Sequence, residues 1–402
     1  MTKEQVKEQV TDIKPKKLRL MMSTNSPWSN SGYGQQARQI LPRMAREGYP
    51  TACIAFYGLE GGMISLDNIL FYPKMGSQWG DDAMVNHARH FNADVVFTLQ
   101  DIWTLNTNAL ADLQKNNRRW IPVVPIDHEP VPPAIHQRLK GAYRIVTYAP
   151  FGTRELKRVG MHSTYIPHTV ETKVMKKLDK SEVRKMCGIP EDIFLFGMVA
   201  ANKDNPPRKS FQQVMDAFAV FHKKYPKSGL YFHTITNQNG GFQIEEYAKF
   251  LGIDKAIYHA EPYEMLYLIS AEDMAKVYSN FDCLLIPSQN EGFGVPIIEA
   301  GACEVPVIAT DFTSMRDLVI DGETGYKVKV RDLRFSPLGA YVANPDTDDL
   351  LDKMEKIYNG DREKMGKAGR KFVEENFDID VVWEKHWKPF LQLLESEIYP
   401  TS

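Results

Sequence analysis

The sequence has almost no net charge, because 49 Lys and Arg residues stand against 51 Asp and Glu residues. No global field draws such a chain toward nucleic acid, which argues against a general DNA or RNA binder and predicts no stable nucleic-acid complex. It also lacks any apolar run near the roughly 18 residues that a membrane span requires. Residues 1–18 are charged and have no apolar centre, so we do not expect them to form a signal peptide.

Cysteine is scarce as well, with four residues and neither C-x-x-C nor metal-ligand spacing. Cys53, Cys283 and Cys303 sit in apolar surroundings, which predicts small buried thiols. That usage is typical of a reducing compartment, and we expect a cytoplasmic protein. The chain contains neither an internal repeat nor a low-complexity segment.

Two domains are expected, because 402 residues are too many for one hydrophobic core. Short β-rich runs alternate with helical patterns, as in βαβ units with parallel sheets. The polar stretch 171–181 separates two such series, so we predict Rossmann-like domains at 1–170 and 171–380 that face each other across a cleft. The predicted strands are residues 18–23, 51–57, 94–99, 120–126, 144–148, 164–166, 193–199, 230–236, 257–260, 283–286 and 305–310.

Residues 283–302 are the most informative stretch. An apolar strand leads into a Gly-containing loop, and Pro296 suits the first turn of a following helix. Unpaired amides at such a helix start favour a phosphate. Glu291 on the loop and Glu299, expected on the first helical turn, are better suited to sugar hydroxyls than to phosphate. Together these features describe a nucleotide-sugar site.

These residues resemble the E-x7-E signature of retaining glycosyltransferases with the GT-B fold, in particular glycosyltransferase family 4. Pro287-Ser288 ahead of Glu291 and the turn at 321–325 belong to the same pattern. The resemblance implies that Glu291 lies against the donor sugar and that Glu299 accepts hydrogen bonds from the ribose. It also assigns donor binding to Gly292, Phe293, Gly294 and Val295. The helix at 381–402 would cross back to the first domain.

Two further loops resemble donor-binding loops of that family. Gly32, Tyr33 and Gly34 follow the first strand and resemble its Gly-rich loop, although Ser31 stands where many members carry another glycine. After the first strand of the second domain, Lys209 matches the second of two phosphate-binding cations. The first of the two cations is either Lys203 or Arg208, and the sequence leaves both open.

His128, in a loop after a first-domain strand, matches a histidine that the family places beside the donor's hydroxymethyl group or the acceptor. The implied catalytic residues are thus Glu291, His128, Lys209 and Arg208. Asp378 and Asp380 have the D-x-D shape of metal-dependent enzymes, but Asp380 reads as a helix N-cap. We therefore expect no metal and no cofactor, with the nucleoside-diphosphate sugar as co-substrate.

The function implied by the resemblance is that of a metal-independent retaining hexosyltransferase using a UDP- or GDP-hexose. A catalytically idle nucleotide-sugar-binding module and a sugar-nucleotide epimerase of the same fold remain alternatives. The acceptor would be bound by loops of the first domain, at residues 57–80, 101–108 and 127–136. It is a glycan, lipid, small molecule or modified nucleobase. The sequence leaves open the nucleotide base, the sugar, peripheral membrane contact and the oligomeric state.

Overall fold

The computed structural model, which describes residues 17–267 and 269–400, contains two parallel β-sheets flanked by helices. The first strand of each sheet, Leu20–Asn25 and Phe194–Val199, is buried along almost its whole length. Strands buried on both faces read as continuous apolar runs, which explains why most of them could be found in the sequence. The predicted alternation of helices and parallel strands is confirmed.

Among the described residues, the N-terminal sheet has the order β3-β4-β2-β1-β5-β6-β7-β8, with β3 antiparallel to β4 and all other pairs parallel. Its strands are β1 (Leu20–Asn25), β2 (Thr51–Tyr57), β3 (Ile64–Leu66), β4 (Ile69–Tyr72), β5 (Val95–Leu99), β6 (Arg119–Val124), β7 (Val146–Thr147) and β8 (Thr164–Tyr165). Its helices are α1 (Gly32–Arg46), α2 (Asp81–Phe91), α3 (Thr107–Lys115), α4 (Pro133–Leu139) and α5 (Pro150–Arg158).

The C-terminal sheet is parallel throughout, in the order β11-β10-β9-β12-β13-β14. Its strands are β9 (Phe194–Val199), β10 (Ser228–His233), β11 (Ile257–His259), β12 (Cys283–Ile286), β13 (Val307–Thr310) and β14 (Gly325–Val328). The accompanying helices are α6 (Lys180–Cys187), α7 (Phe211–Lys224), α8 (Ile244–Leu251), α9 (Pro262–Tyr267), α10 (Ala271–Ser279), α11 (Val295–Ala302), α12 (Met315–Leu318), α13 (Thr347–Asn359) and α14 (Arg362–Asn376).

Several elements were not predicted from the sequence. An antiparallel hairpin, β15 (Val330–Phe335) and β16 (Tyr341–Pro345), follows β14, and its first strand is largely exposed. Exposed strands lack the apolar run that marks a buried one, and the same holds for the edge strand β3. Helix α6 begins inside the polar stretch that separates the two predicted domains, since the Asp179 side chain caps it.

The last described helix lies on the N-terminal domain. After α15 (Ile379–Val382) and a π-helical turn, α16 (Lys388–Ile398) lies against the first sheet. The Trp387 ring packs edge-on against Phe97 at 5.8 Å. The Glu397 carboxylate accepts a 3.0 Å hydrogen bond from the Tyr143 hydroxyl. This C-terminal segment therefore links the two domains.

The expectation that Asp380 caps this segment was wrong. The Asp378 carboxylate occupies the N-cap and accepts from the Asp380 N–H at 2.9 Å. The Asp380 side chain points elsewhere and pairs with Arg43 at 2.6 Å and with Lys173 at 2.9 Å.

Strand order places the functional loops. In each sheet the strand order reverses between two neighbouring strands. These are β1 and β5 in the N-terminal sheet and β9 and β12 in the C-terminal sheet, and from them the chain proceeds toward opposite edges of the sheet. A crevice opens at the carboxyl ends of the strands at such a switch point, and ligands bind there in open α/β sheets. The loops after β9 and β12 contain Lys209 and Glu291.

Candidate active site

Lys209 and Glu291 meet at the switch point of the C-terminal sheet. The Lys209 ammonium pairs with the Glu291 Oε1, and both side chains are largely buried. Burial by itself would raise the pKa of Glu291, but Lys209 and Arg208 outweigh it and hold that pKa at about 2. The Glu291 carboxylate is therefore ionised at neutral pH, and it orients two cations.

Arg208 supplies the second cation. Its guanidinium donates to the Asn290 carbonyl at 2.7 Å and lies 3.5 Å from the Glu291 Oε2. Lys203 is exposed and forms no ion pair with any residue that the structure describes. The structure thus brings Arg208, and not Lys203, together with Lys209. Two adjacent cations of this kind suit a diphosphate.

Buried hydroxyl groups hold the loop that carries Glu291. The Thr313 Oγ1 accepts from the Glu291 N–H at 3.1 Å, and the Ser314 hydroxyl donates to the Glu291 and Phe293 carbonyls at 2.8 and 2.6 Å. The amides of Phe293, Gly294 and Val295 donate to no described residue. Since α11 begins at Val295, these amides are the free helix-start donors that favour an anion.

Glu299 lies on the second turn of α11, not on the first as the sequence suggested, because that helix begins at Val295. The Tyr278 hydroxyl donates to its carboxylate at 2.6 Å, and burial raises the pKa of Glu299. It lines a cavity of about 410 Å³ that Gln35 and Arg38 of α1 also line. Glu299 therefore faces a space between the two domains, as a ribose-binding residue would.

Glu299→Gln should weaken binding of a nucleoside diphosphate about fivefold. A hydrogen bond to a charged group contributes roughly 1 kcal/mol more than one to a neutral group, and the amide can still accept from Tyr278. Titration calorimetry with UDP and GDP measures the change. Glu304→Gln is the matched control, because Glu304 pairs with Lys177 away from this cavity. Equal affinities for the two variants would remove Glu299 from the binding site.

Gly32, Tyr33 and Gly34 form the first turn of α1 and not the loop that the sequence predicted. The helix begins at Gly32 because the Ser31 side chain caps it by accepting from the Gly34 N–H. A methyl group on Gly34 would lie 2.7 Å from the Ser26 carbonyl, so only glycine fits. The Tyr33 hydroxyl lies 3.3 Å from that of Tyr148.

His128 follows β6 of the N-terminal domain, and its neighbour Asp127 contacts the donor loop. The His128 Nδ1 lies 2.7 Å from the Asp127 Oδ1, and the Asn290 side-chain amide donates to the Asp127 Oδ2 at 2.9 Å. Asp127 and Asn290 were not predicted as site residues from the sequence. The available signal was their position in the sequence. Asp127 directly precedes His128, and Asn290 directly precedes Glu291, to both of which the family resemblance assigns a role.

Asp101, after β5, is a second, partly buried carboxylate beside the cleft. Burial, followed by the charge of Asp127, raises the pKa of Asp101 from 3.8 to about 6. An acid with a raised pKa in the folded state costs stability once it ionises, so this cost appears as pH rises from about 4 to about 6 and persists above.

Asp101→Asn should therefore stabilise the protein at pH 8 and have little effect at pH 4. The shift of the Asp101 pKa corresponds to on the order of 3 kcal/mol in the free energy of unfolding. Urea unfolding at the two pH values measures it. An equal change at both pH values would mean that ionisation of Asp101 is not the cause.

Aromatic side chains line the loops assigned to the acceptor. The Trp79 and Trp103 rings meet edge to face at 5.8 Å, and Trp103 is half exposed. Within the described ranges, no three His, Cys, Asp or Glu side chains are grouped so that they could hold a metal ion. No helix in the part of the chain that the structure describes is long and apolar enough to cross a bilayer.

The known proteins with similar sequences include glycosyltransferases, and the solved structures with a similar fold include a sucrose-phosphate synthase. The Staphylococcus aureus capsular polysaccharide biosynthesis glycosyltransferase CapM is 36% identical over 115 residues, which cover 28% of this chain and 27% of that protein. The chain spans only about a quarter to a half of the length of the curated relatives it matches.

Two solved structures share the fold over nearly the whole chain. Sucrose-phosphate synthase from Thermosynechococcus elongatus has a TM-score of 0.76 at 16% identity and covers 95% of this chain and 100% of its own. Anabaena HepE, solved with UDP, has a TM-score of 0.67 at 13% identity with the same coverage. The chain has the GT-B fold. Residues 179–372, just under half of the chain, match the model of the family "Glycosyl transferases group 1".

Proposed function

We propose that the protein is a metal-independent, retaining hexosyltransferase that moves a sugar from a UDP- or GDP-hexose to a hydroxyl acceptor. One observation carries the proposal. Lys209 and Arg208 converge on Glu291 at the switch point of the region that matches the group 1 glycosyl transferase model, beside free helix-start amides and opposite His128. Cations and amides for a diphosphate therefore lie next to a fixed carboxylate for sugar hydroxyls.

The leaving group would be stabilised by this chain's own charges. As the bond from the anomeric carbon to the diphosphate breaks, negative charge develops on the diphosphate, where Lys209, Arg208 and the amides of residues 293–295 can bind it. Preorganised donors of this kind act without a divalent ion. The histidine across the cleft and Glu291 would hold hydroxyl groups of the sugar.

The carboxylates nearest the site favour a mechanism in which the acceptor attacks the same face of the sugar that the diphosphate leaves. Glu291 is engaged with two cations, and both oxygens of Asp127 accept hydrogen bonds. Neither is free to act as the nucleophile that retaining glycosidases use. The acceptor oxygen would bond to the anomeric carbon on the face that the diphosphate leaves, and its proton would pass to the departing phosphate oxygen.

The donor class is supported by HepE, which binds UDP in its solved structure. The test is incubation of the full chain with UDP-, GDP- and ADP-hexoses in excess EDTA. We expect one donor to raise the Tm and to be hydrolysed slowly to nucleoside diphosphate and a sugar whose anomeric configuration matches the donor.

Other outcomes would contradict the proposal in distinct ways. Binding without release of sugar would indicate an idle module, and isomerised nucleotide sugar without hydrolysis would indicate an epimerase. Loss of turnover in EDTA with recovery in Mg²⁺ or Mn²⁺ would reject the metal-independent mechanism.

A further inference from the structure

One carboxylate joins the two domains at His128. The Asp127 Oδ1 lies 2.7 Å from the His128 Nδ1, and its Oδ2 accepts from the Asn290 amide at 2.9 Å. Asp127 and His128 follow β6 of the N-terminal domain, whereas Asn290 follows β12 of the C-terminal domain. His128 and Asn290 are 5% and 2% exposed, whereas the Asp127 side chain between them is 35% exposed.

The hydrogen bond decides which nitrogen of His128 carries hydrogen. A carboxylate only accepts, so Nδ1 must donate, and in the neutral ring Nε2 is left with a lone pair. The Nε2 has no hydrogen-bond partner among residues 17–267 and 269–400. It is therefore available to accept from a hydroxyl group.

The Asn290 backbone carbonyl accepts from Arg208, whereas its side chain contacts Asp127. Its Oδ1 is buried without a partner, so donation to Asp127 is the only hydrogen bond that its side chain makes among the described residues. A flipped amide would place two oxygens together, which fixes its orientation. Because Asn290 belongs to the other domain, this bond exists only while the cleft is closed.

We infer that Asp127 is a positioning residue that holds His128 in the Nδ1–H tautomer, and that Asn290 makes this arrangement depend on closure of the cleft. The inference rests on the proposed function for its purpose. In a transferase, Nε2 would then accept from a hydroxyl of the bound sugar only after the two domains have met. Donor binding and closure of the cleft would thus both precede the contact between His128 and the sugar.

Other charged and titratable groups surround Asp127. Asp101 and the Tyr33 and Tyr148 hydroxyls come from the N-terminal domain, and Arg208 comes from the C-terminal domain. Asp127 raises the pKa of Asp101, whereas Arg208 lowers it. Removing the charge of Asp127 should therefore lower the pKa of Asp101, which a purely steric role for Asp127 would not do.

The test is nitrogen NMR of the full chain labelled with ¹⁵N-histidine, with the His128 signals assigned by their loss in His128→Gln. Asp127→Asn should move these signals away from the Nδ1–H pattern. It should also lower kcat tenfold or more, while the KM for donor stays within about twofold. Asn290→Ala should produce a partial shift of the same signals in the same direction.

Asp317→Asn is the matched control for a lost contact between domains. Asp317 of α12 accepts from the Phe151 N–H at 2.7 Å and from Arg154 at 2.9 Å, and it does not touch His128. It should leave the His128 signals unchanged. The inference is overturned if Asp127→Asn leaves the tautomer unchanged, or if Asp317→Asn shifts the signals as much as Asn290→Ala does.

The tautomer can be read without any substrate, which separates the two proposals. If the signals respond as expected but no donor is turned over, the proposed function fails and the positioning of His128 stands. If transfer is found but the signals do not respond, the positioning fails and the function stands.

Discussion

Lys209→Ala is expected to lower kcat about 100- to 1,000-fold, the range found when one preorganised donor is removed from a developing negative charge. Lys209 is largely buried and held by Glu291 at the carboxyl end of the C-terminal sheet. Its contact with the departing phosphate should strengthen as the bond breaks, so the loss should appear in kcat as well as in KM. Steady-state kinetics with saturating donor measure both constants.

Stability has to be separated from catalysis in that experiment. Lys209→Ala leaves the buried Glu291 with Arg208 alone at 3.5 Å, and removal of one partner from a buried ion pair costs up to about 5 kcal/mol. The double variant Lys209→Met/Glu291→Gln removes both charges. It should recover most of the free energy of unfolding and remain inactive. A double variant that regained turnover, or a single variant altered in KM alone, would contradict a role for Lys209 at the leaving group.

The parts of the site that could be predicted from the sequence are those encoded locally. The strand, loop and helix around Glu291 follow from an apolar run, two glycines and Pro296 within a short stretch, and β12 has the predicted bounds. Residues 32–34, in contrast, were predicted as a loop but are helical, because the Ser31 side chain caps α1. Exposed strands such as β15 gave no apolar signal at all.

Contacts between the domains could not be predicted, because they depend on how two separately patterned units meet. Asp127 and Asn290 are 163 positions apart in the sequence, and nothing near either residue indicates the other. The choice between Lys203 and Arg208 was open for the same reason. It depends on the path of the loop after β9, where a backbone hydrogen bond from Gln289 to the Arg208 carbonyl at 2.8 Å fixes the orientation.

Gly292→Ala is expected to impair closure of the cleft and to lower kcat/KM about 10- to 100-fold. A methyl group on Gly292 would overlap the Pro125 Cβ, lie 3.2 Å from the Pro125 Cα and approach the Tyr148 ring at 3.5 Å. Pro125 belongs to the N-terminal domain and Gly292 to the donor loop, so the simplest relief is separation of the domains. Overpacking costs typically 1–3 kcal/mol, and each 1.4 kcal/mol lowers the closed population about tenfold.

Because the phosphate cations and Glu299 lie on the C-terminal domain, Gly292→Ala should still bind nucleoside diphosphate. Small-angle scattering should show a larger radius of gyration than in the wild type, with a smaller decrease on addition of nucleotide. Gly369→Ala on α14 is the control, since the nearest atom to a methyl group there is the Gly301 Cα at 3.6 Å, an ordinary contact. If Gly292→Ala keeps the wild-type radius of gyration and turnover, the loop absorbs the methyl group locally, and close approach of Gly292 to Pro125 is not what limits closure.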